Sequence, residues 1–211
     1  MSLTIAYVHG TAPQKWFTRF SEHTKHGIER TFGCDDPVAA LAADEARVAF
    51  VRLPDAHIGD GTGQDAYHVV RLYEEQPGIG LPKDNELTLL EEITRADIAA
   101  ETVLYQPANA VDVAAVREAA HVVAANVGVV IAPRPLLRSM NLKEVEHRAY
   151  AEGQPTTIAV VWKKVHDGDA IQDFVGITRG RTANSSRQAA PKRKARDKAR
   201  AKQQRRAAGR R

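Results

Sequence analysis

The stretch that most constrains this chain runs from Thr94 to Ala132, because it ends in a strand, VGVVIAP, that has no wet face and is stopped by Pro133. A strand that is apolar on both sides belongs inside a sheet covered by helices, and a helix is predicted immediately before it, from about Val111 to Ala125. A short strand, Thr102 to Tyr105, precedes that helix, and Thr94 is placed to cap one or two helical turns through Ala100. Strand, helix and buried strand make half of a parallel α/β unit. Such units bind ligands at the carboxyl ends of their strands, which puts Gln106 and Asn109 where a cleft would open.

The remaining segments extend the pattern. Leu3 to Val8 is an apolar strand. HGTAP follows, with Thr11 as a cap candidate and Pro13 near the first turn of a helix that carries Trp16, Phe17 and Phe20 and runs to about His26. Ile28 to Phe32 reads as a strand, Asp36-Pro37 as cap and first residue of a helix over 37–45, and Ala46 to Leu53 as a third strand. The β, α, β, α, β order predicts a mostly parallel sheet. After a glycine- and aspartate-rich loop over 54–66, Tyr67 to Tyr73 and Gly78 to Leu81 are strands, and Lys83 to Glu86 is a polar turn. A second set of strands therefore begins near Pro77, with a crossover between lobes at 74–77 and a return at 150–156. Between them lie a short helix from Pro133 through Met140 and a strand from Val145 to Tyr150. Thr156 to Trp162 is a buried strand, and the last helix, from about Gly168, sets Ile171, Phe174, Val175 and Thr178 on one face. The predicted division is 1–76 as the first part of lobe one, 77–155 as lobe two, 156–182 as the returning strand and helix of lobe one, and 183–211 as a tail.

Charge separates the tail from the rest. Fourteen of the 30 Lys and Arg residues lie from Arg179 to Arg211 against one acid, Asp197, whereas residues 1–178 hold 16 basic and 25 acidic residues. With no large apolar side chain from Ala183 onward, the tail is expected to be disordered when free. Lys192, Arg193, Lys194, Arg196, Lys198, Arg200, Lys202, Arg205 and Arg206 would attract phosphate backbones. Without aromatic side chains to stack on bases, that contact would be indifferent to nucleic-acid sequence. Solubility, or contact with the acidic body, are the alternatives for the tail. The single Cys34 permits no internal disulfide and points to a reducing compartment, and no segment is long and apolar enough for a membrane span or a secretory leader, so a cytoplasmic location is expected.

The first strand-to-helix turn, His9, Gly10 and Thr11, would offer backbone N–H groups and a hydroxyl to a carboxylate, or be merely a turn and a cap. Arg52, near the end of the third strand, is either an anion partner in the cleft or a solvated side chain, and Asn126 to Gly128 reads as the end of the preceding helix. His23 and His26, three apart on one predicted helix, lack a third ligand, so no metal is expected. Asp35 and Asp36 disfavour a thiolate at Cys34 unless the following helix lowers its pKa. With no glycine-flanked serine elbow, Walker loop or dinucleotide fingerprint, neither a cofactor nor a catalytic residue is assigned.

The series LTIAYVHG, ALAADEARVAFVRLP, HVVRLYEEQPGIGLPKDNEL, LTLLEEITRADIAAETVL, AAHVVAANVGVVIAPRPLL and PTTIAVVWKK, closed by a helix with Asp173-Phe174, resembles the effector-binding domain of LysR-type transcriptional regulators over about residues 3–178. The resemblance implies an α/β, two-lobed fold of the type 2 periplasmic-binding-protein kind, with two interlobe crossovers. It implies a small effector, often an organic anion, held by His9 to Thr11, by the loop around Gln106, and by Gln76 and Asn126 to Gly128. It also implies a side-by-side homodimer. The chain departs from the pattern in beginning at the effector-like body, without the family's winged helix-turn-helix, and in a shorter segment between Tyr105 and Val111, which would leave a shrunken or open pocket. The expected function is a non-enzymatic module binding a small polar or anionic ligand. The alternatives are a regulatory protein that grips DNA or RNA through its tail, and a structural dimer whose cleft is plugged by side chains.

Overall fold

Ser2–Val8 (β1) buries Leu3, Ile5, Ala6 and Val8, so both of its faces and both of its edges are covered. It pairs in parallel with Gly27–Cys34 (β2) on one side and Val48–Leu53 (β3) on the other. The connections that parallel pairing requires are the helices Gln14–His23 (α1) and Pro37–Ala42 (α2), the latter capped by the Asp36 carboxylate, which accepts from Ala39 N–H at 2.8 Å. The structure, a computed structural model, describes residues 2–180. The basic tail, with its expected disorder and phosphate contacts, lies outside the described residues.

Two mixed sheets result. The first has the order β2-β1-β3-β10-β4, where β4 is Tyr67–Glu75 and β10 is Thr156–Lys163. The second has the order β6-β9-β5-β8-β7, built from Pro77–Pro82 (β5), Glu92–Ile93 (β6), Val103–Tyr105 (β7), Val129–Pro133 (β8) and Val145–Tyr150 (β9). The strand–helix–strand reading holds: β7 is parallel to β8 and joined to it by Val113–Ala124 (α3). Asp112 caps α3, accepting from Ala115 N–H at 3.0 Å, and Asn126 ends it with φ 65°. Gly128, at φ 59°, lies so close to the Thr102 carbonyl that any side chain there would collide with it.

Three expectations need correction. The first sheet is not mostly parallel, because β10 runs antiparallel to both β3 and β4. Glu75 at the end of β4 faces Thr156 at the start of β10, so the chain re-enters the sheet at the end it left, and a strand returning without a crossover helix must run backward. Thr94 to Ala100 is a set of turns and not a helix, since the Asp97 carboxylate takes both the N–H and the hydroxyl of Thr94 at 2.8 and 2.6 Å and closes a local loop. The residues before it, Glu92–Ile93, form an edge strand. Finally, α1 stops at His23: the Thr24 hydroxyl donates to Phe20 O and accepts from His26 N–H, so His23 and His26 do not share a helix.

Arg134–Met140 (α4) follows β8 directly, and Asp169–Thr178 (α5) packs beside α1. All four residues assigned to one face of the last helix, Ile171, Phe174, Val175 and Thr178, are buried. Phe174 meets Phe20 and Phe50 edge-on at 5.3 and 5.9 Å. The same continuous core takes in Ile5 and Phe50 of the first sheet and Val130 and Leu136 at the second, so the two sheets share apolar packing. Replacing Phe174 by Ala should cost about 3–5 kcal/mol in urea unfolding. Leu89→Ala, at a side chain 86% exposed, should stay within about 0.5 kcal/mol of wild type.

Candidate functional site

The ends of β3, β4 and β10 meet at a buried ionic network. Arg52 and Glu75 are only 4% and 2% exposed. The guanidinium donates from Nε to Glu75 Oε2 at 2.6 Å and from Nη2 to Oε1 at 3.2 Å. Nη2 also donates to the carbonyl of His9 at 3.0 Å, and the Thr156 hydroxyl donates to Glu75 Oε2 at 2.9 Å. Arg52 Nη1 is buried with no partner. Arg52 is therefore not a solvated side chain. Its strand is buried along its whole length, and Glu75 on the far side of β10 supplies the charge that lets a guanidinium stay there.

The turn His9, Gly10 and Thr11 sits against that network but is not open. Gly10 has φ 91°, and a Cβ built on it would lie 2.8 Å from Leu136 Cα and 3.0 Å from Arg52 Nη2, so the first residues of α4 cover the turn closely. Thr11 is not a helix cap: its hydroxyl and its N–H both donate to the carbonyl of Val8, at 2.8 and 3.3 Å, and α1 begins only after Pro13. His9 Nδ1 lies 2.6 Å from Asp35 Oδ1, and Arg117 of α3 donates to both Asp35 oxygens at 3.1 and 2.8 Å. The hydrogen bonds from Arg117, then from His9, hold the Asp35 carboxyl below its ordinary pKa. This ion pair links the end of β2 in the first sheet to the helix that covers the second. Next to it, burial, followed by the charges of Asp36 and Asp35, pushes the Cys34 thiol up to about 11.

A cavity of about 430 Å³ opens where the connections between the sheets run side by side. Gln106 and Asn109 line it, on the loop after β7 that Tyr105 braces by accepting the N–H of Asp112 on its hydroxyl at 2.8 Å. Pro77 and Thr156, at the two strand ends where the chain changes sheets, line it as well. His9, Gly10, Thr11 and Arg52 do not, although Thr156 connects the cavity to Arg52 through Glu75. Gln76 is exposed outside the lining, its carbonyl accepting from Arg134 N–H at 3.0 Å. Asn126 and Gly128 serve the end of α3 and the start of β8, away from the cavity. Sequence reasoning missed Arg95, Glu152 and Gln154 on the lining, and also its prolines. The only signal was the Glu152-Gly153-Gln154-Pro155 turn, which does fall within the return connection.

Among the described residues, no three His, Cys, Asp or Glu side chains gather as a metal site, and no helix is long and apolar enough to cross a membrane. Removing one partner of the buried pair, as in Glu75→Leu, should cost about 3–5 kcal/mol, and the double variant Arg52→Met with Glu75→Leu should recover most of that loss in equilibrium unfolding. Cys34 should react with iodoacetamide at pH 8 roughly a hundredfold more slowly than free cysteine, since its thiolate is scarce there.

No family model and no curated protein matches the chain. Solved structures do. The BenM effector-binding domain with its effector benzoate superposes with a TM-score of 0.62 at 15% identity, over 84% of this chain and 90% of that one. HinK, a LysR family transcriptional regulator from Pseudomonas aeruginosa, gives 0.62 at 17% identity over 85% of this chain and 70% of its own. The reduced OxyR regulatory domain from Pseudomonas aeruginosa gives 0.59 at 14% identity over 84% and 96%. With its two mixed sheets, the described body has the fold of the effector-binding domains of LysR-type regulators.

Proposed function

We propose that this chain is a non-enzymatic binding module that senses a small polar molecule, in the manner of a LysR-type effector domain. Each sheet with its helices is one lobe of a type 2 periplasmic-binding-protein fold: the described residues of 1–76 and 156–182 form the first lobe, and 77–155 the second. The polypeptide crosses between lobes at Gln76 and returns over 151–155. The observation that carries this reading is the 430 Å³ cavity bounded by both crossings and by the Gln106 to Asn109 loop. Its size suits a small ligand, and its place beside the connections lets occupancy bias how the lobes sit. The BenM domain, which shares the fold, is described with benzoate as its effector. Transcriptional regulation in the cytoplasm, as a homodimer, belongs to the same reading.

One observation favours a second reading. Leu136 fills the space in front of Gly10, as in an interaction protein whose cleft has been plugged. Titration calorimetry of a metabolite panel against wild type and Ala108→Trp, which places a large ring at an exposed position of the cavity lining, separates the two. The sensing module predicts a ligand whose affinity drops more than about tenfold in the variant. A wild-type chain that binds nothing on the panel, and is dimeric regardless, would favour the plugged form.

A further inference from the structure

Resting on the reading of that cavity as the ligand site, we infer that its ligand is a flat, uncharged ring compound carrying paired hydrogen-bond donors and acceptors, such as a carboxamide, lactam or nucleobase, and not an organic anion.

The donor set comes first. Gln106, Asn109 and Gln154, all exposed, put three carboxamide residues on the cavity lining, and among the described residues no hydrogen bond ties their side chains to protein. A carboxamide offers an acceptor and two donors side by side, which matches the same pair on a ligand and leaves its acceptor facing nothing favourable when an anion binds. Thr156 adds acceptor capacity, because its proton is already given to Glu75.

The walls come second. Five prolines line the cavity: Pro54, Pro77, Pro107, Pro133 and Pro155. Anion sites in loops are commonly nests of backbone N–H groups, and each proline removes one such group from the place where a strand end or loop would present it. Their rings leave flat apolar surface, extended by Ile131 and Ala132, on which a planar ring can lie.

Charge comes third. The two ionic side chains on the lining, Arg95 and Glu152, are opposite in sign, and Glu152 is held there by accepting the backbone N–H of Arg95 on Oε2 at 2.9 Å. A carboxylate entering the cavity for Arg95 would share the lining with the like charge of Glu152. The groups of the first turn that would suit an anion lie off the lining and are largely engaged: Arg52 Nε and Nη2 on Glu75 and the His9 carbonyl, the Thr11 hydroxyl on Val8, and Gly10 under Leu136. A carboxylate would lose water in this cavity without gaining a full counter-charge.

The test is calorimetry of the full chain with three matched pairs: nicotinamide and nicotinate, benzamide and benzoate, uracil and orotate. The neutral member should bind at least about tenfold tighter in every pair that binds, and Asn109→Leu and Gln154→Leu should each weaken it roughly three- to tenfold with the melting temperature unchanged. Acids that bind as well as or better than their neutral partners, with Ala108→Trp abolishing that binding, would overturn the inference and leave the cavity as the site. Binding of neither member of any pair would overturn the inference and the cavity reading together.

Discussion

The rest of the molecule depends on the ion pair between Arg52 and Glu75. Two charges withdrawn from water cost several kcal/mol each, and this pair offsets that cost only through close, two-point contact and further hydrogen bonds from Thr156 and to His9. Glu75 is the last residue of its strand before the chain changes sheets, and Thr156 is the first after it returns. The network thus fixes both passages against the end of β3 and against the first turn. A guanidinium committed in this way keeps only Nη1 without a partner, and it lies off the cavity lining.

A second set of contacts holds the sheets together beyond this network. Leu136 lies over Gly10, Arg117 reaches across to Asp35, and apolar side chains from both sheets merge into one core. These contacts narrow the space in front of the first turn, whose residues stay partly exposed. Room remains among the prolines at the connections, whose rings cannot be drawn into ladder hydrogen bonds. The open cavity therefore lies at the paired connections and not at the turn that the family pattern emphasises.

Much of the architecture was legible because it rests on local chemistry. A strand without a polar face, a helix with apolar residues at every third and fourth position, and an Asp-Pro start each specify their element before tertiary contacts act, as at Val129–Pro133, α5 and α2. Sheet direction was not legible, because β10 runs backward through the geometry of a five-residue return that no residue type encodes. Thr94 to Ala100 misled because Thr94 and Asp97 satisfy each other more locally than a helix would allow. Gln106 and Asn109 could be found as residues following a strand of a parallel unit. The role of Arg52 could not be found, as its partner is 23 residues away and becomes adjacent only through the intervening strand. Pro133 was read as a strand stop and Pro77 as the start of the second set of strands, and nothing in a single sequence says that both face one cavity with Pro54, Pro107 and Pro155.

The most direct measurement is a residue-resolved map of backbone amide shifts as nicotinamide is titrated into the protein. Ligand held at the connections should move the amides of residues 106–109, 131–132 and 152–156 together, and leave those of 9–11 nearly still. Shifts centred on His9, Gly10 and Thr11, with the proline-lined cavity silent, would contradict it.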